Sequence, residues 1–321
     1  MIGRWTITVI SLVVAFFAVT AGSPWAQDYP NRGIRGVVGP GPDIVARVFA
    51  PPMAEVLGQQ VVIEPKPGAG GVIAAQTIAT AQPDGYSLLQ ATASYTINTA
   101  LGNSPYDLRK EFAPVGRMST SPFILVVHPS VPAKTVQELI ALAKSKPGQL
   151  NYASSGIGTP PHLAAELFKA MAGVDIVHVP YREANSGLNA VISGNVQMMF
   201  SIASTTQSQI EAGTVRGLGV TTLEPTRLVP NVPSIAQSGL PGFEVLGWNG
   251  LVAPAGTAAP IIAKLNAAIR RGLDDPETRK RMEVAGYEAA APNTPEQFAK
   301  FVQADTEKWF GVVEKARISV K

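Results

Sequence analysis

The densest chemistry in the chain lies in six consecutive residues, Ser154-Ser155-Gly156-Ile157-Gly158-Thr159. Small residues at a strand-to-helix turn let peptide N–H groups converge on one point. The helix start adds partial positive charge, and three hydroxyls supply adaptable donors. A carboxylate is the guest such a cradle suits. The same residues also fit a plain tight turn, with Gly156 and Gly158 making the bend and Thr159 capping a helix that has Pro160 at its first position. A second turn, Gly39-Pro40-Gly41-Pro42-Asp43, could present amides in the same way, although Asp43 reads first as a helix N-cap. The Gly68-Ala69-Gly70-Gly71 turn invites a dinucleotide reading and fails it. Ile73 stands where the third glycine of G-x-G-x-x-G belongs, and no acidic residue ends a strand at the right distance.

Three histidines stand at 128, 162 and 178. His162 and Glu166 lie one helical turn apart, so a metal pair is geometrically possible. No third ligand is near them in sequence, and a surface or cleft-edge pairing is the simpler expectation. A serine hydrolase built on Ser154 or Ser155 with His162 is the rival from another functional class. The G-x-S-x-G elbow is absent, and these serines precede the glycines instead of sitting between them. The chain has no cysteine, which excludes thiol nucleophiles and thiolate metal sites.

The elements that must position these residues alternate. Short β-branched runs and amphipathic helical patterns follow one another from Ile34 onward, as in βαβ units with a parallel sheet. Strands are expected at 34–38, 60–64, 86–91, 150–153, 175–179, 196–200 and 215–220, with an extended stretch at 243–253. A helix over 43–57 should be kinked or split by Pro51-Pro52. Thr135 with Glu138, and Thr294 with Gln297, are capping signals that open helices running to Lys144 and through Trp309. Leu163, Leu167 and Met171 recur every four residues and predict the buried face of a helix that Gly173 ends.

Composition sets the setting. Arg4 precedes an apolar run over 7–21, and Ala26 stands before Gln27-Asp28, which reads as a signal peptide over 1–26. Removing 26 of the 321 residues leaves 295, enough for two domains. Of 26 basic residues 25 remain against 23 acidic ones, a net charge of +2, so no electrostatic footprint for nucleic acid is present.

With these segments in place, the chain resembles the Bug-type (TctC-like) periplasmic receptors of tripartite tricarboxylate transporters over nearly all of its mature length. The marks are Tyr29-Pro30, Asp43 with Ala46-Arg47, Leu57-Gly58-Gln59, Pro67 to Gly71, and Pro83-Asp84-Gly85-Tyr86. Further marks are Leu150 to Ser154, Gly158-Thr159, His162-Leu163, Val177-His178-Val179-Pro180-Tyr181, Leu240-Pro241-Gly242, and Ala253 to Thr257.

The resemblance implies a type II periplasmic-binding fold: two α/β lobes joined by two crossing strands, near 123–128 and 243–253, with the ligand between them. Lobe one would take residues 27–124 plus 247–321, and lobe two residues 125–246. It implies ligand contact at Ser154, Ser155, Gly158, Thr159 and Tyr181, and also at Gly70, Thr92, Ser94 and Trp248. Gly39, Gly41, Asp43, Gly156, His162 and Ser201 complete the candidate set. A periplasmic, monomeric receptor is expected, one that binds a small carboxylate without cofactor, metal or catalysis. It would serve large and small permease subunits or a sensor kinase. Two departures bear on the ligand: the 39–42 loop is shorter than the V-P-F-x-P-G-G-x-x-D pattern of the family, and Ser201 stands where many members have aspartate.

Overall fold

The computed structural model describes residues 29–39, 43–66, 71–102, 104–315 and 318. The signal-peptide reading, Gly41 and Gly70 lie outside the described residues. In chain order the first elements are β1 (Ile34–Val38), α1 (Ile44–Leu57), β2 (Val61–Pro65), α2 (Val72–Ala79), β3 (Ser87–Thr92) and α3 (Ala93–Ala100). The long strand β4 (Phe112–Val127) leads into α4 (Val136–Ser145), β5 (Asn151–Ser154), α5 (Pro160–Ala172), β6 (Val177–Pro180), α6 (Ala184–Ile192), β7 (Met198–Ile202), α7 (Ala203–Glu211) and β8 (Arg216–Val220). The chain closes with β9 (Leu246–Pro254), α8 (Ala259–Asp274), α9 (Pro276–Val284), β10 (Glu288–Ala289) and α10 (Pro295–Lys315).

Two α/β halves share β4. Residues 112–122 of this strand pair with β9, and residues 123–127 pair with β7 and β8. The first half reads β2-β1-β3-β9-β4 and the second β4-β7-β5-β6. Within the first half β1, β2 and β3 are parallel; within the second, β5 is parallel to β6 and to β7. The return crossing lies just before β9, where the Val245 amide bonds the Thr221 carbonyl and Phe243 packs on Phe168 and Phe200. Parallel strands place their carboxyl ends on one edge, and each such end feeds a helix start. Open α/β sheets bind ligands at that edge.

Several local expectations change in three dimensions. Pro51-Pro52 do not split α1, which runs unbroken through them. Burial of Val45, Val48, Phe49, Met53 and Leu57, with α8 packed alongside, outweighs the lost helical bonds. In α5 the buried face runs through Ala164, Ala165, Phe168 and Ala172, while Met171 is exposed. Phe168, the largest apolar side chain on the helix, turns the stripe away from Met171. The Glu138 carboxylate accepts from the Lys134 amide at 2.6 Å, one residue before the N-cap, while the Thr135 hydroxyl accepts from Glu138 N–H at 3.1 Å. At α10 both capping bonds form, Gln297 N–H to Thr294 Oγ1 and Thr294 N–H to Gln297 Oε1.

The sequence reading places no helix at α3, α6, α7, α8 or α9. The first three are short and rich in Thr, Ser and Asn, residues whose intrinsic preference is weak for helix, so only their packing reveals them; α8 does carry a periodic apolar face, Ile262, Leu265, Ile269 and Leu273, that could have been read.

Candidate anion site between the two halves

In the second half, β5 carries the chain to Ser154 and α5 begins at Pro160. Gly156 and Gly158 bend the intervening loop with φ of 115° and 76°, a region that side-chain-bearing residues avoid. Two loop amides are satisfied locally: Gly156 N–H bonds Ser154 Oγ at 3.1 Å, and Gly158 N–H bonds His162 Nδ1 at 3.3 Å. The amides of Ser155, Ile157 and Thr159 have no hydrogen-bond partner among the described residues. Thr159 occupies the N-cap position, but its hydroxyl donates to the Gly156 carbonyl at 2.7 Å and does not cap the helix. Tyr181 follows β6, and its N–H bonds the Ser154 carbonyl at 3.0 Å. No lysine or arginine side chain among the described residues is hydrogen-bonded to this loop, so helix-start dipoles and free amides set its polarity.

In the first half, Gly39 follows β1 and is buried against the Tyr95 hydroxyl, Ala74 and Gly71; a side chain at Gly39 would collide with that hydroxyl. Thr92 is the N-cap of α3, and Ser94 lies in its first turn. The Thr92 and Tyr95 hydroxyls are both buried without a hydrogen-bond partner among the described residues, and burial pushes the Tyr95 phenol well above its usual range. The two halves meet here. A methyl group built on Gly158 would lie 3.0 Å from Asn98 Oδ1 and 3.3 Å from Leu101 Cδ1, so α3 of the first half sits against the loop of the second.

Other members of the candidate set fall behind this surface. Ser154 is fully buried, its Oγ 2.6 Å from His178 Nε2. A buried hydroxyl paired with a different histidine does not fit the hydrolase arrangement with His162. His162 is 5% exposed and packs, tilted by 32°, with its ring 4.5 Å from that of His178, which corrects the expected edge pairing with Glu166. The Glu166 carboxylate instead takes the Tyr152 hydroxyl at 2.6 Å and Lys169 at 2.8 Å. Burial, then the neighbouring His178, lowers the His162 pKa to about 4.

Trp248 is 1% exposed and packs on Phe298 and Phe301, with its indole N–H donated to Asp305 at 3.0 Å; it supports the site from within the core and does not line it. Ser201 is equally buried and accepts from the Thr206 hydroxyl at 2.7 Å. Asp43 pairs with Arg47 at 2.7 Å and makes no side-chain cap, because the guanidinium one turn along competes for the carboxylate. Among the described residues no group of three metal-ligating side chains is assembled.

Sequence reasoning missed Tyr95, Asn98 and Asp305 as parts of this region, and it missed the role of His178. For His178 a signal existed: it alternates with Val177 and Val179, so its ring leaves the face they share. Its register partner Tyr152 is set by strand pairing and is not visible in the local sequence.

The profile described as the tripartite tricarboxylate transporter family receptor, TctC, matches residues 45–318. Protein BugT of Bordetella pertussis is 30% identical over 321 residues, covering 96% of this chain and 98% of that protein. Among solved structures, an R. palustris protein, Rpa4515, determined with adipate, is 31% identical with a TM-score of 0.82, covering 91% of this chain and 99% of that one. MatC from Rhodopseudomonas palustris, with bound malate, is 34% identical with a TM-score of 0.79, covering 89% of this chain and all of that one. The fold is that of these periplasmic binding proteins, and no helix among the described residues is long and apolar enough to cross a membrane. With sequence match and fold in agreement, the chain belongs to the TctC family of tripartite tricarboxylate transporter receptors.

Proposed function

We propose that this protein captures a small organic carboxylate in the periplasm, closes its two halves around it, and presents it to a tripartite tricarboxylate-type transporter. One observation carries the reading. The unpartnered amides of Ser155, Ile157 and Thr159, at the start of α5, lie in the loop that meets α3 of the opposite half. Amides without competing cations recognise a carboxylate by geometry and dipole, and burial between the halves strengthens those bonds. Ser155, Gly158, Thr159 and Tyr181 form the second-half wall; Gly39, Thr92 and Ser94 form the first.

Residues 27–124 with 247–321, and residues 125–246, act as the two moving lobes of a monomer. Ligand selects the closed arrangement because only there do both walls touch it. The carboxylates bound by the two relatives, adipate and malate, set the size of the first candidates.

Calorimetric titration with adipate, malate, citrate, glutamate and benzoate tests the capture step. A ligand present at about 100 times its Kd raises stability by roughly 2.7 kcal/mol, so a melting shift must accompany the heat. Absence of both at millimolar ligand overturns the reading. The delivery step is tested by uptake of the radiolabelled ligand in cells lacking this chain, which must fall and be restored by it.

A further inference from the structure

We infer that His162 and His178 are positioning residues for the anion cradle: packed ring against ring, they tie down the Gly158 amide directly and the Gly156 amide through Ser154 Oγ, leaving those of Ser155, Ile157 and Thr159 for the ligand. The ligand clause rests on the carboxylate-receptor reading above; the loop geometry does not.

Two hydrogen-bond chains run from loop to histidine. Gly158 N–H donates to His162 Nδ1 at 3.3 Å, which requires an unprotonated Nδ1 and places the ring proton on Nε2. Gly156 N–H donates to Ser154 Oγ at 3.1 Å, and Ser154 Oγ lies 2.6 Å from His178 Nε2. The rings support each other: His178 stacks on Tyr152 at 4.7 Å with 13° between planes, and His162 packs on it at 4.5 Å with a 32° tilt.

The ionisable groups around the pair are Glu166 and Lys169 on α5 and Tyr152 on β5. Glu166 is bonded to both of the others, so its charge is compensated within the cluster. Two imidazolium rings at this separation repel, so the pair resists double protonation and titrates as a unit. Burial lowers the pKa of both rings.

The two histidines respond differently to a proton. Protonated His178 can still donate to Ser154 Oγ, whose own hydrogen then turns to the Gly156 carbonyl at 3.3 Å. Protonated His162 offers a donor to a donor, and the Gly158 bond is lost. The loop then re-sorts its amides at the point where it meets Asn98.

The test uses ligand-free amide exchange together with calorimetry against malate and adipate, from pH 8 to pH 3.5, on wild type, His162→Leu and His162→Asn. Asparagine places Oδ1 where the imidazole has Nδ1 and cannot titrate. His162→Leu is expected to lose protection at the Gly158 amide and to bind at least about 10-fold more weakly at pH 7.5, as for the loss of a buried hydrogen bond that orients the loop. His162→Asn is expected to keep protection, to bind within about 3-fold of wild type, and to show a flatter pH profile once the ligand's own titration, common to both, is divided out.

The inference is overturned if His162→Leu matches wild type at pH 7.5 in exchange and affinity, or if His162→Asn keeps the wild-type pH profile. A wild type that binds neither acid sinks the receptor reading instead, while exchange at Gly158 still decides whether the histidine holds the loop.

Discussion

The two helix starts that meet between the halves are anchored by buried groups of opposite acid–base character. In the second half, His162 and His178 hold the loop before α5. In the first, the Asp305 carboxylate on α10 ties α3 to β9, accepting from the Thr96 hydroxyl at 2.6 Å and from the Trp248 indole at 3.0 Å. The second-half anchor reaches the loop amides directly and sorts them. The first-half anchor sits beneath the helix and leaves the Thr92 and Tyr95 hydroxyls unpaired above it. On the proposed reading, the difference teaches that one wall is preorganised for an anion, whereas the other keeps hydroxyls without a partner among the described residues. Buried groups of this kind carry a cost of about 1–3 kcal/mol each until they are paired.

The largest expected effect comes from breaking the contact between the walls. Gly158→Val places a β-branched side chain at positive φ and against Asn98 and Leu101. Carboxylate affinity should fall by about 100-fold or more, which corresponds to roughly 2.7 kcal/mol. Adding Asn98→Ala separates the causes: recovery of affinity assigns the loss to crowding between the halves, and no recovery assigns it to the loop backbone.

A middle-sized effect distinguishes the two anchors by pH. Desolvation raises the Asp305 pKa above its unfolded value. Its contribution to stability is therefore complete below the unfolded pKa and is lost as pH rises through the folded one. The histidines run the other way. With His162 lowered to about 4, their contribution is complete above the unfolded value near 6.5 and is lost as pH falls toward 4, at no more than about 1.4 kcal/mol per pH unit for each ring. Asp305→Asn should keep the acceptor and remove only the loss at rising pH. Relative to Asp305→Asn, Asp305→Ala should cost about 2–3 kcal/mol at every pH, because neither variant titrates and only alanine leaves Thr96 and Trp248 unpaired. Urea unfolding of the three proteins between pH 4 and 8 measures both, and parallel curves for wild type and Asp305→Asn would end the contrast.

The smallest effect concerns Tyr95. Removing an unpartnered hydroxyl with Tyr95→Phe should leave the ligand-free protein unchanged or stabilise it by up to about 1 kcal/mol, read as a small rise in Tm. A drop in Tm would show that the hydroxyl is already bonded in the ligand-free protein, and the two walls would then be alike.

Much of the scaffold was legible in the chain itself. The strand at 34–38, the Thr294 capping box and the Gly173 stop appear where turn chemistry and side-chain period put them. The cradle was legible as a segment, because Ser154 to Thr159 advertises a strand-to-helix turn. The placement of its members was not. Ser154, His162, Ser201 and Trp248 look alike as polar or aromatic candidates in sequence, and only packing shows that all four are buried.

Sequence by itself determined the alternation of strands and helices and the glycine-bent loop, since periodicity, capping and backbone freedom act over a few residues. Tertiary structure alone decided that His178 stands beside Tyr152, that Glu166 serves Tyr152 and Lys169 in place of His162, and that Asp305 reaches Thr96 across 209 residues of chain. Strand register and long-range burial set those choices, and neither leaves a local mark, because the partner that completes each buried polar group lies far away along the chain.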